Sequence, residues 1–500
     1  MATASVFGNH ELIERIAGFV AGQAPITVTT HADVLALAGV NRTCRAALGL
    51  RCAGHDPSTQ VAVTDATRAT CKRYIKAFGD DLVQICVRAN SYKDAADFLS
   101  FMSGLAAGKE ATFGRLEQMV FDIATQHPDD FIVEDDGVVF SGLRYFPSVK
   151  RLVIHDDNRS FVRDNKLVRR GTAHVVDFPP CVQSLYFSEN VAGAVPMQRG
   201  LSSVRLVQQL KDWSPAAEWR HGLNVFRNFG TARETLRHVC LEGLCMIFPQ
   251  WLAELRGLPN LESLMIIHTG YKLRITSDFA TDDIDFSGFD ALRSFSIDIC
   301  TSSYTIVLPA GLEHLWMDGT TRWSFEHNPR LKSLCILDGL LWEHVPPSVF
   351  DDVELLFLAR VWRREVAEYQ QAHRPPVGPR TLDVYIEKIS RNGWQPIIDT
   401  LEFFRLRLRS ITLVPGMCNG PSAWMDEVTG WWPPETCYGH TPEAVQRVQD
   451  VFPGVEVRKC ENTDAMAVWR GRFRVGWDGM LDWGGSSHTP RTKYEKPRSD

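Results

Sequence analysis

One short pattern recurs along most of this chain: apolar-x-x-apolar-x-apolar. Ten segments carry it: RLEQMVFDI, SVKRLVIHD, CVQSLYFSE, TLRHVCLEG, NLESLMIIH, ALRSFSIDI, GLEHLWMDG, RLKSLCILDG, DVELLFLAR and RLRSITLVP. Their first apolar residues are Leu116, Val149, Val182, Leu236, Leu261, Leu292, Leu312, Leu331, Val353 and Leu408, at intervals of 33, 33, 54, 25, 31, 20, 19, 22 and 55. The two long intervals leave room for weaker copies at LSSVRL (Leu201) and TLDVYI (Leu382). With 44% hydrophobic residues the bare pattern arises often by chance, so its context decides. Many copies are announced by a turn residue or proline, as in YFPSV, FPPCV, LPNL, LPAGL and NPRL, and several close on Asp or Gly. A chain of 500 residues also exceeds the size at which one hydrophobic core keeps growing, which leaves several domains or a solenoid.

The pattern resembles a leucine-rich repeat, a unit of roughly 20–29 residues with one short strand per turn, stacked into a parallel sheet. A recurrent Asn, usual in that family, is missing, so the resemblance is to its irregular members. The expected fold is α/β, with parallel strands inside and helices and loops outside. The shortest intervals, after Leu292, leave room only for loop on the outer side, whereas AEWRHGLNVFRNF and VWRREVAEYQQAH have the look of outer helices. Each turn exposes an apolar face that it cannot bury alone, so stacking is obligatory. Alternation along each strand sends the third, fifth and seventh residues of a copy to the inner, concave side. These are Ser263, Met265 and Ile267; His314, Trp316 and Asp318; Ser333, Cys335 and Leu337; Leu355, Phe357 and Ala359. So apolar a face is either covered by a loop or the C-terminal segment, or open as a target pocket. On the second reading Met265, Ile267, Trp316, Leu337, Leu355 and Phe357 bind the target.

The first 50 residues follow another periodicity. In NHELIERIAGFV, Leu12, Ile16, Phe19 and Val20 fall at helical spacing behind Asn9, a good N-cap, with Glu11 suited to the helix dipole. After Pro25 and several threonines, Asp33 can cap a second helix whose Val34, Leu37, Val40, Cys44 and Leu48 form one stripe ending at Gly49. Two short amphipathic helices need a partner surface, either in the chain or outside it. HELIERIAGFV followed by DVLALAGVNRTCRAAL resembles an F-box. It departs from that family where Phe7-Gly8 replaces Leu-Pro, in a long linker, and where Cys44 replaces an aromatic residue. The resemblance implies docking onto the Skp-family linker subunit of a cullin-based SCF ubiquitin ligase. Leu12, Ile16, Val34, Leu37 and Val40 would form the apolar face, with Arg42 and Arg45 at its rim. The alternative is a helical hairpin that caps the next domain.

Other features mostly exclude. The formal net charge of −6 argues against a dominant nucleic-acid surface. Twelve scattered cysteines without a CxxC pair read as reduced thiols of a cytoplasmic or nuclear protein. The start MATASVFGNHELIERIAGFV lacks a signal-peptide pattern, and no apolar run reaches the roughly 18 residues of a membrane span. DIDFSG, Asp283 to Gly288, imitates half a calcium loop, but Ser294 stands where the bidentate Glu belongs, so a capped turn is the plainer reading. The acidic HPDDFIVEDDG reads as a solvated loop, and no zinc, nucleophile-elbow or phosphate-loop motif occurs. No cofactor and no catalysis are expected.

The expected organisation is an F-box-like helical module at 1–55, a helical connector at 56–112, in which Ala95, Phe98, Leu99 and Met102 share a helix face, and a repeat solenoid at 113–460. A Trp-rich cap at 461–483 and a disordered, basic tail at 484–500 follow. The expected function is a substrate-recognition subunit that binds the linker through its first helices and an unidentified protein target through the repeats. A non-catalytic repeat scaffold outside the ubiquitin system is the alternative.

Overall fold

The computed structural model describes residues 60–63 and, with interruptions, 69–459; the longest interruptions are 124–136, 208–229 and 415–441. The expected helix pair, with Leu12, Ile16, Val34, Leu37, Val40, Arg42 and Arg45, lies outside the described residues. So do the segment 217–229, the cap at 461–483 and the tail at 484–500. The chain divides into two compact units, Met1–Leu236 and Arg237–Asp500.

Both units are α/β and dominated by parallel strands. The first holds β1 (Gln60–Val63), β2 (Gln84–Ala89), β3 (Gln118–Ile123), β4 (Arg151–Asp156), β5 (Ser184–Phe187) and β6 (Ser203–Val207), each paired with the next in chain order. The second holds β7 (His238–Glu242), β8 (Ser263–Ile267), β9 (Ser294–Asp298), β10 (His314–Asp318) and β11 (Ser333–Ile336). It continues through β12 (Leu355–Leu358), β13 (Leu382–Glu387), β14 (Leu408–Val414) and β15 (Glu456–Lys459), again in chain order. All ten segments of the sequence pattern, and both weaker copies, are strands of these sheets. This strand-after-strand progression is that of a repeat array.

The three apolar positions of each copy have distinct jobs. The first ends a tight turn: Leu116 N–H donates to the carbonyl of Phe113 (3.1 Å), Val149 to Phe146 (3.3 Å), Leu261 to Leu258 (3.2 Å) and Leu292 to Phe289 (3.0 Å). Pro147 and Pro259 occupy the second position of such turns, where a fixed φ favours the bend and no N–H is required. The second and third positions alternate along the strand, so in register Leu264, Phe295, Leu315, Leu334 and Leu356 stack as one column. Each member of that column is at most 1% exposed.

Neighbouring turns are locked by a main-chain ladder. One carbonyl accepts two successive N–H groups at the start of the next strand. Glu117 O takes Lys150 (2.8 Å) and Arg151 (3.1 Å); Lys150 O takes Gln183 (2.7 Å) and Ser184 (3.0 Å). In the second unit Arg237, Glu262, Arg293, Glu313 and Lys332 each act in the same way, at 2.7–3.1 Å. This arrangement satisfies the strand-start donors that would otherwise be buried without partners.

The outer layer differs from expectation. Where the short intervals after Leu292 were expected to carry loop alone, Thr305–Val307 and Arg322–Ser324 join Asp283–Asp285, from the longer interval before it, in a second parallel sheet. Each contributes one buried residue, Ile284, Ile306 and Trp323, which lie in register six to eight residues before Leu292, Leu312 and Leu331. Val138–Phe140, Ala173–Val175 and Val191–Gly193 form a parallel sheet of their own in the first unit. The expected outer helix at 361–373 is α3 (Arg363–Ala372). The stretch 56–112 is more than a helical connector, since it contributes β1 and β2 to the sheet. Its helix α1 (Tyr92–Ala107) buries Ala95, Phe98, Leu99 and Met102 on one face, and Ser91 accepts the Asp94 N–H (3.0 Å) at its start. Gly142 lies beside α1 with φ 92°, and a Cβ there would come within 2.6 Å of Ser103. The Asp177 carboxylate accepts the N–H groups of Gly142 and Leu143 (both 3.0 Å) and so ties two successive turns together.

Other turns of the second unit do carry helices: α2 (Pro249–Arg256) in its first turn, and α3, α4 (Gln395–Phe403) and α5 (Pro442–Val451) in its last ones. Phe350, Tyr369, Phe403 and Phe404 pack edge to face beneath α3 and α4, with centroids 5.2–6.5 Å apart. Tyr369 donates its O–H to the Val345 carbonyl (2.6 Å), and burial pushes its phenol pKa up. The buried guanidinium of Arg407 donates to the carbonyls of Phe350 and Val353.

The column sets the sensitivity of the fold. Leu315→Ala removes a fully buried side chain and is expected to lower unfolding stability by about 2–5 kcal/mol. Leu406→Ala, at a position 80% exposed, should change it by less than about 0.5 kcal/mol. Urea unfolding followed by circular dichroism measures both.

Candidate functional site

The face of each sheet opposite the core column is where the sequence placed a target. In the second unit two rows run across it in register. The row at the strand starts is His238, Ser263, Ser294, His314 and Ser333; the next is Cys240, Met265, Ser296, Trp316, Cys335 and Phe357. The structure thus brings Met265, Trp316 and Phe357 into one row spanning five adjacent strands, with Leu355 at the start of β12. Ile267 closes β8, and Leu337 lies outside the described residues.

This face is buried. Met265 is 5% exposed, Trp316 and Leu355 7%, and Phe357 0%. The serines of both rows are at most 9% exposed. Small hydroxyls alternate with large apolar groups here, so Trp316 stands between Ser296 and Cys335 rather than against another bulky neighbour.

The corresponding face of the first unit is polar, and the sequence reading, directed at apolar positions, missed it. His155 on β4 lies with Nδ1 3.2 Å from Oδ1 of Asp122 on β3. Its ring centroid is 5.6 Å from that of Tyr186 on β5, and the Arg205 guanidinium of β6 sits 4.9 Å from the Tyr186 ring. Arg151 donates to Gln118 (3.4 Å) one row away. Tyr186 and Arg205 are buried at 4% and 6% exposure. Thus a carboxylate, an imidazole, a phenol ring and a guanidinium form a chain across four successive strands. The strand alternation used for the second unit, applied to RLVIHD, SLYF and SVRLV, would have found it.

Along the rim at the strand starts of the second unit, the residues that form the carbonyl ladder alternate in charge: Arg237, Glu262, Arg293, Glu313, Lys332, Glu354. Arg237 pairs with Glu262 (2.8 Å), Lys332 pairs with Glu313, and Arg293 donates to the Gly311 carbonyl (2.8 Å). The hydrogen bond from Lys332 holds the Glu313 carboxyl below its usual range. Burial opposes ionisation of Asp383, yet hydrogen bonds from Arg409 and Ser410 bring its pKa below the ordinary value. Burial also lowers the pKa of His238 and His314, a desolvation effect that outweighs the neighbouring Glu262 and Glu313.

The DIDFSG stretch is a capped turn: Asp285 accepts the Ser287 N–H (2.8 Å) and pairs with Arg256 (3.1 Å). Among the described residues no group of three or more His, Cys, Asp or Glu is placed to hold a metal ion. No described helix is long and apolar enough to cross a membrane. The acidic run 127–136 and Trp424, Trp431, Trp432, Trp469, Trp477 and Trp483 lie outside the described residues. Compared with protein-family models and with curated protein sequences, the chain matches none.

Two measurements probe this face. If Trp316 and Phe357 are internal packing, Trp316→Ala and Phe357→Ala should each lower unfolding stability by about 3–5 kcal/mol; if they serve a partner, the variants stay as stable as the parent and lose only binding. The half-buried His238 and His314 make a separate test. With folded pKa values below the unfolded value of 6.5, they take up fewer protons in the fold than in the unfolded chain. Their contribution is therefore neutral above about pH 6.5 and increasingly destabilising as the pH falls below it. His238→Gln with His314→Gln should flatten that acid limb in thermal melts between pH 7 and 5.

Proposed function

We propose that this protein is a substrate-recognition subunit of an SCF-type ubiquitin ligase, docking to the Skp-family linker through residues 9–49 and to a target protein through its repeats. The observation that carries the proposal is the F-box-like pattern HELIERIAGFV…DVLALAGVNRTCRAAL, followed from Gln60 onward by an array of parallel strands. On this reading the apolar stripe of Leu12, Ile16, Val34, Leu37 and Val40 supplies the affinity, and Arg42 and Arg45 set the register at its rim. The protein itself does no chemistry. It holds a target lysine near a ubiquitin-charged enzyme and so raises the effective concentration of the two reactants. A cytoplasmic or nuclear location goes with this role.

A second reading has an observation in its favour. The burial of Met265, Trp316, Leu355 and Phe357 supports a non-catalytic repeat scaffold, in which the apolar inner rows are structural and the N-terminal hairpin is a cap. The two readings part at the linker. Full-length protein should co-precipitate with purified Skp-family linker, and Leu12→Asp combined with Val40→Asp should reduce binding at least tenfold while leaving the circular dichroism spectrum unchanged. Retained binding in the double variant, or none in the parent, would overturn the docking assignment and leave the scaffold.

A further inference from the structure

We draw no further inference here: the strongest candidate, the exposed valines Val139 and Val176 on and beside the outer strands of the first unit, carries none because nothing in the structure shows what covers them.

Discussion

The fold rests on a main-chain contact that needs no particular side chain: one carbonyl per turn receiving two successive N–H groups from the next. The strand-start donors of Lys150 and Arg151, or of Arg293 and Ser294, are satisfied by the backbone of the preceding copy. Because the acceptor is a peptide group, the residue bearing it is free to vary, and it is Glu, Lys, Gln, Arg or Glu again in successive copies. The intervals vary just as freely, from 19 to 35 residues between successive copies once those at Leu201 and Leu382 are included, since only the strand starts must coincide. Repeat irregularity and structural regularity are compatible here for that reason.

The parts legible in the sequence were those written by periodicity. Most strands with their turn and three apolar positions could be placed, because Leu261, Leu264 and Ile266 and their counterparts have fixed separations and one common destination; β2, with Leu82, Ile85 and Val87, and β15, with Phe452, Val455 and Val457, carry the same spacing and were passed over. Helix α1 was legible from Ala95, Phe98, Leu99 and Met102 for the same reason. The outer strands were not, since they are only three residues long and Asp283–Asp285, Thr305–Val307 and Arg322–Ser324 each bury a single side chain, and no period can be read from one point. Strand β1 escaped because QVAV, four residues long, carries no full copy of the spacing.

The candidate surface was legible only as geometry. Alternation put Met265, Trp316 and Phe357 on one face, and the in-register pairing of β8 to β12 makes them one row. It could not tell whether that row faces water, since a strand buried on one side and a strand buried on both can share a spelling. The polar chain Asp122–His155–Tyr186–Arg205 is distributed over 84 residues of sequence, from 122 to 205, and each member is unremarkable in its own segment. Only the stacking of turns makes neighbours of them.

The alternation of sign along Arg237, Glu262, Arg293, Glu313, Lys332 and Glu354 constrains how such an array can be shortened or lengthened. Excising a single turn from the middle would set arginine beside lysine, or glutamate beside glutamate, and turn attraction into repulsion. Excising two together would close the gap with opposite signs still adjacent. By electrostatics alone, this stretch is a chain of couplets, and change in its length is easiest two turns at a time.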